Sequence, residues 1–433
     1  MMGGVFWWIC FEHWFWEVWF VGMLWLSFFG VGVGVFYESE GLVFDSVVGG
    51  IVLLIGVVWV GMGSVYGVDF SKKLSSGNGG GVASEGVLSL FLILMMVAVF
   101  LIDSWLGFYI IYEGSMVPLL VGVCLYGSYY ERLGSVMYLV VYLIFSSVPL
   151  VLVLLVSLGA ADSVKMGGWD VVWLWGWVGF VLMGAMLVKV PLWGLHSWLP
   201  TIHVEAPSWG SVLLAGVTIK MGVYGLWRMR GEEFLAEERA GLWVWAFLGG
   251  LVASLTRFFS SDFKTPLAHS PVFHMAGVVW LSGWMLAGGW RGVLIVVMMH
   301  GVLSGALFML AGSLGEIGES RSLVLLGGLV DYLSGGGFMV VMCFVLNAGF
   351  PFSGNMVGEL EVVLGVMTVW GLGWVVLFWV LFLGSLFNMY LLIVLFSSGR
   401  VGKSLELWAG VVLGVSGLLA VSVGSLVVMG VMF

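Results

Sequence analysis

Apolar runs of about twenty residues or more recur along almost the whole chain, and nothing else in the sequence restricts its fold as strongly. A helix needs roughly 20 mostly apolar residues to cross the hydrocarbon of a bilayer. Runs of that kind lie at 14–36, 46–67, 86–106, 108–127, 134–158, 172–199, 208–228, 241–257, 266–287, 291–313, 323–348, 372–397 and 407–432. A shorter run at 355–366 cannot cross alone and reads as the second part of one interrupted helix with 323–348. The expected fold is therefore an all-α polytopic membrane protein with about 13 transmembrane helices. Each run is apolar all round, so lipid and neighbouring helices are its expected contacts.

Charge excludes other classes. Only 9% of the 433 residues are charged, against about 25% in soluble domains, so neither a soluble enzyme nor a disordered chain fits. A net charge of −9 with only 15 Lys and Arg argues against nucleic acid as a partner. Cys10, Cys124 and Cys343 are far apart in apolar runs. That spacing gives no support to a disulfide framework, a zinc site or a thiolate-held cluster. Residues 1–13 carry Glu12 and His13 and lack the basic start and small-residue cleavage site of a signal peptide.

The composition is skewed in a second way. There is no glutamine and there are only five threonines and four asparagines, against 67 glycines and 25 tryptophans. The depleted residues are mostly those with A- or C-rich codons, which points to mutational bias in a small organellar or otherwise skewed genome. Most glycines are then tolerated, as they are in membrane helices generally. The longest polar stretches, Asp69–Glu85 and Gly231–Ala240, are too short for an extramembrane domain. Basic residues divide eight to five between loops after even-numbered and odd-numbered helices, a weak bias for the first set facing the cytoplasm or matrix.

Six ionisable residues interrupt the runs: Glu113, Lys189, Lys220, His274, His300 and Glu359. Such residues are rare in spanning segments, and usually face a bundle interior or a water-filled path. For each, a bland role competes with a functional one. The acids can sit at helix ends, the lysines can snorkel, and a lone histidine is more often a satisfied core residue. Lys220 resists the bland reading, because only uncharged residues occupy Ala206–Ile219 before it and Met221–Trp227 after it. Together the six form a set whose proton affinities respond to neighbours and burial, as in proton relays.

Two breaks accompany them. One is Lys189-Val-Pro191 with Pro200 beyond it; the other is Asn347-Ala-Gly-Phe-Pro-Phe-Ser-Gly354. Pro and Gly there free backbone carbonyls that only a polar cavity can satisfy. Paired interrupted helices point to inverted repeats around a midplane site.

The segment Met186-Leu-Val-Lys-Val-Pro-Leu-Trp-Gly-Leu-His-Ser-Trp-Leu-Pro-Thr-Ile-His-Val-Glu-Ala-Pro207 resembles the signature of the antiporter-like subunits of NADH–ubiquinone oxidoreductase, respiratory complex I. Ser211–Gly225, Asp262–Met275 and His300–Phe308 extend the resemblance, which runs from about Phe108 to Glu361. Glu rather than Lys at position 359 resembles the subunit 4 type more than subunits 2 or 5. The resemblance implies two inverted five-helix repeats, each with a broken helix. It also implies proton translocation through Glu113, Lys189, Lys220, His274, His300 and Glu359. By the same resemblance the cofactors NADH, FMN, iron–sulfur clusters and ubiquinone would belong to other subunits, with none in this chain. The implied partners are the other membrane-arm subunits, with antiporter-like subunits 2 and 5 as neighbours, accessory subunits and lipids such as cardiolipin. The implied location is the mitochondrial inner membrane, multi-pass and organelle-encoded.

The chain then divides into N-terminal helices (1–85), a first antiporter-like half (86–257), a second half (258–397) and a C-terminal helix (398–433). It departs from the family in having one helix fewer than the usual fourteen, His269 where Tyr is usual, and Pro271 where Ser is usual. Two other classes remain open: a stand-alone cation/proton antiporter, and a structural membrane subunit with inert buried charges. If the six residues form a relay, neighbouring members should be about 7–12 Å apart and bridged by water.

Overall fold

The computed structural model describes residues 37–39, 42–44, 46–75, 79–127, 129–160, 166, 175–228, 239–282, 287–332, 336–350, 353–367, 373–397 and 415–419. The expected span 14–36, Cys10 and most of 407–432 lie outside the described residues. What is described is almost wholly helical. The exception is a small antiparallel hairpin pairing β1 (Tyr37–Ser39) with β2 (Leu42–Phe44), with Glu38 opposite Val43. The polar stretch Asp69–Glu85 is not a long loop. Helix α1 (Ser46–Ser75) continues into it and α2 (Gly79–Leu101) starts within it.

The run 108–127 becomes two helices, α3 (Trp105–Gly114) and α4 (Met116–Tyr126), separated at Ser115. Ser104 caps α3 by accepting from the Gly107 amide at 3.2 Å. Helix α5 (Arg132–Ala160) follows with Pro149 inside it. The first expected break is present. Helix α6 (Trp175–Lys189) stops at the lysine and α7 (Trp198–Glu205) starts a new half-helix after an irregular segment. Pro191 has no N–H for the Leu187 carbonyl, which is met instead by the Leu192 amide at 3.4 Å. The Trp198 indole donates to the Val188 carbonyl at 3.0 Å, so this end is closed from within the chain.

Lys220 lies just after a break that the apolar pattern does not show. Helix α8 (Ser208–Leu213) widens into a π-turn at Leu214–Thr218 before α9 (Ile219–Arg228) resumes. Such turns occur often at functional sites. Beyond it come α10 (Arg239–Thr256), α11 (Lys264–Ser282, with Pro271 inside) and the long α12 (Ala287–Ile317). The run 323–348 is not one helix. It divides into α13 (Leu323–Leu326), a 3-10 turn and α14 (Gly336–Asn347), because the chain turns at Gly327 and Gly328. After the second expected break come α15 (Gly354–Met367) and α16 (Gly373–Phe396).

Five stretches of the described residues are long and apolar enough to cross a membrane: 84–101, 105–126, 132–156, 208–228 and 292–317. Their burial ranks them. Apart from the half-buried Ser208 and Arg228 at its ends, 208–228 is inside the bundle, as is most of 292–317, whereas most of 132–156 is not. The lysine-bearing segment is thus central and α5 peripheral.

Close backbone approach places the central segment. A Cβ on Gly222 would stand 2.7 Å from Val190 and 3.0 Å from the Met186 carbonyl, so α9 lies directly against the first break. A Cβ on Gly301 would stand 3.0 Å from the Gly216 carbonyl, so the π-turn meets α12 one residue after His300. Gly222→Val should therefore lower the thermal stability of the purified protein by about 1–3 kcal/mol through overpacking. Gly277→Ala should leave the melting profile unchanged, since a Cβ there meets nothing within 4 Å.

Candidate functional site

Glu113 is the penultimate residue of α3, and Lys189 is the last residue of α6. The two helices bring them together inside the bundle, with Lys189 Nζ 3.8 Å from Glu113 Oε1. This is ion-pair range but too long for a hydrogen bond. The lysine's hydrogen bond goes to the Tyr112 carbonyl at 2.8 Å. Lys189 is fully buried, whereas about a fifth of the Glu113 side chain (19%) is reached from outside. An ammonium at the end of α6 is also favoured by that helix's C-terminal dipole.

Lys220 has no exposed surface. Its ammonium donates to the Ala215 carbonyl within the π-turn, and no carboxylate of the described residues pairs with it. The widened turn presents a carbonyl in the place where the lysine stem can fold back onto it. Snorkelling is thereby excluded for this side chain.

The second half of the site is built on α11, α12 and α15. His300 and His274 are buried with ring centroids 4.9 Å apart. His274 Nδ1 lies 3.7 Å from Glu359 Oε1. Neither imidazole nitrogen of His300 hydrogen-bonds to the protein. Glu359 accepts from Asn355 Nδ2 at 2.9 Å. Gly349, at φ +71°, passes so close that a Cβ would stand 2.5 Å from Glu359 Oε2. That conformation favours glycine.

The six residues thus fall into three groups: Glu113 with Lys189, Lys220 alone, and His300 with His274 and Glu359. Packing joins the groups, since α9 touches the first break through Gly222 and α12 through the π-turn. The expected spacing of 7–12 Å needs correction for the outer groups, where separations are 3.7–4.9 Å. Broken helices end close to one another and carry their charges with them. The separations still stop short of hydrogen bonds, so neither Lys189 nor His274 is locked to its acid.

A family model described as NADH:quinone oxidoreductase/Mrp antiporter, transmembrane, matches residues 102–388. The chain belongs to that family. NADH-ubiquinone oxidoreductase chain 4 of Arbacia lixula is 34% identical over 58% of this chain and 57% of its own length. The protein of the same description from Ascaris suum is 32% identical over 68% of this chain and 70% of its own length. This chain spans less than two thirds of each of the first three curated relatives it matches, at 57%, 65% and 61% of their lengths. Among solved structures, a chain of respiratory complex I from Thermus thermophilus with bound NADH superposes with a TM-score of 0.80 at 22% identity, covering 94% of this chain and 89% of that one. A chain of the Mrp complex from Dietzia sp. DQ12-45-1b gives 0.81 at 13%, covering 95% and 89%. At those identities the superpositions establish the antiporter-like fold.

Within this fold several polar residues join the site that the sequence analysis did not single out. His203 is fully buried on α7 and stacks on Phe308 with centroids 4.3 Å apart. It lay within the quoted signature, but nothing local separated it from a core histidine. Arg257 is also buried. Its Nη2 donates to the His269 carbonyl at 3.0 Å, and the guanidinium lies over the faces of Phe273 and Phe387 at 4.8 and 5.6 Å. At the second break, Asn347 Nδ2 donates to Asn388 Oδ1 at 3.2 Å and reaches Ser270 Oγ at 3.4 Å. Asn355 donates to the Asn347 carbonyl at 3.3 Å as well as to Glu359. The signal for these was present. The chain has four asparagines, and three of them converge here, all buried.

The amides are coupled, and a double-mutant cycle should show it. Asn347→Leu leaves Asn388 Oδ1 without its donor and should cost about 1–3 kcal/mol of stability. Asn347→Leu combined with Asn388→Leu should cost less than the sum of the two single changes. Additive losses in thermal unfolding would count against the coupling.

Proposed function

We propose that this chain is a subunit-4-type, proton-translocating membrane-arm subunit of an NADH–ubiquinone oxidoreductase. Quinone reduction elsewhere in the complex would drive protons along Glu113, Lys189, Lys220, His300, His274 and Glu359. The observation that carries this reading is Lys220, a lysine with no exposed surface held by a π-turn carbonyl at the centre of the bundle. A structural role would call for a carboxylate partner there, since an unpaired buried charge is costly. A lysine that gains and loses its proton needs none while neutral. The relatives named NADH-ubiquinone oxidoreductase chain 4 support the same conclusion.

The finer architecture belongs to the proposal. About thirteen spans, with inverted repeats in 86–257 and 258–397, would set the two helix breaks in corresponding positions. Residues 1–85 and 398–433 would flank them. Among the described residues no three His, Cys, Asp or Glu side chains are placed to share a metal ion. Flavin, iron–sulfur clusters, NADH and ubiquinone are assigned to other subunits. The setting is the mitochondrial inner membrane, with antiporter-like subunits 2 and 5 as neighbours, and with accessory subunits and cardiolipin-type lipids. The likeness to an Mrp complex keeps one alternative in view, a stand-alone cation/proton antiporter. Migration on a native gel separates the two, as a large NADH-oxidising assembly or a small oligomer.

Lys220→Ala should leave assembly largely intact and cut coupled proton pumping and quinone reduction severely. Lys220→Arg should not restore them, because a guanidinium stays protonated and cannot pass a proton on. Normal pumping by the Arg variant in the intact complex would refute the relay.

A further inference from the structure

Among the described residues a carbonyl, a ring and an acid surround the Lys189 ammonium, and the acid is the farthest of them. Its Nζ lies 2.8 Å from the Tyr112 carbonyl, 3.0 Å from the centroid of the Tyr112 ring and 3.8 Å from Glu113 Oε1. Glu113 Oε1 is buried and makes no hydrogen bond. The carboxylate is close enough to attract the ammonium, yet ring and carbonyl hold it. A cation over an aromatic face is drawn by the ring quadrupole, most strongly where water is excluded. Here both lysine and tyrosine are buried.

The tyrosine is fixed for this task by its ring and not by its hydroxyl. Its oxygen is buried and makes no hydrogen bond. Phe108, one turn earlier on α3, stacks on the ring with centroids 5.1 Å apart and planes at 29°. Phe108 in turn contacts Tyr224 on α9 at 6.2 Å, so α9, the helix of Lys220, backs the stack. The carbonyl is fixed as well, because Ser115 Oγ donates to it at 2.8 Å across the α3–α4 junction.

We propose that the face of Tyr112 is a second resting site for the Lys189 ammonium. The lysine then alternates between this ring-and-carbonyl site and a direct ion pair with Glu113. Tyr112 is a positioning residue, which keeps the ion pair separable so that Lys189 can release its proton toward Lys220. The inference rests on the relay reading of Glu113 and Lys189. Without the ring, the ammonium would settle on the carboxylate.

The test uses the assembled complex and reads proton translocation per NADH oxidised. Tyr112→Phe keeps the face and should pump within about twofold of the wild type, whereas Tyr112→Leu should lose about tenfold or more while assembling normally on a native gel. Phenylalanines carrying one, two and three fluorines at position 112 withdraw charge from the face with little change of shape. They assemble wherever Phe does, and pumping should fall stepwise along the series. A flat series, or a Phe variant as impaired as Leu, overturns the proposal. A Lys189→Ala control separates the two readings. If it pumps normally, the relay itself fails. If it does not pump while the fluorine series stays flat, only the role of Tyr112 fails.

Discussion

Inside hydrocarbon a freed carbonyl or an ammonium has no water to turn to, and the rest of this structure depends on how the chain answers that constraint. Each interrupted helix exposes carbonyls, and at each break one of them is met by a side chain from within the break or just past it. Trp198 meets the Val188 carbonyl, Lys220 that of Ala215, and Asn355 that of Asn347. Two of these three also belong to the site or touch it. Backbone satisfaction and charge placement are therefore one arrangement, and a break without its polar residue would leave both unsolved.

The electrostatics are distributed to suit. Arg321, about a quarter exposed, gathers three acids: the buried Glu205 at 3.0 Å, Asp262 at 3.4 Å and the exposed Glu131 at 3.8 Å. The buried cations are held differently. Lys189, Lys220 and Arg257 take carbonyl oxygens and, in two cases, aromatic faces. Such partners favour the protonated form less strongly than a carboxylate does, so a lysine held by them can still lose its proton. That distinction is what the proposed relay relies on. It fits the loose 3.7–3.8 Å contacts at Glu113 and Glu359.

A chain poor in Asn, Thr and Gln offers few polar side chains, so those that persist inside the bundle stand out by their rarity. The glycines are less informative one by one. Gly222, Gly301 and Gly349 are required by close approach or by a left-handed turn, while Gly277 meets nothing.

The sequence alone determined the class of solvent, the helical architecture, both proline- and glycine-marked breaks and all six ionisable residues. Hydrophobic run length, charge scarcity and proline chemistry are local properties that a single chain displays without folding. Tertiary structure decided the rest. The π-turn before Lys220 leaves no mark in an apolar pattern, because widening a helix by one residue changes no residue type. Tyr112 reads as one more core aromatic until α6 delivers an ammonium to its face. Asn347, Asn355 and Asn388 lie on three separate helices, and only packing makes them one cluster. Distances between charges follow from where broken helices end, and that is set by contacts far apart in the chain.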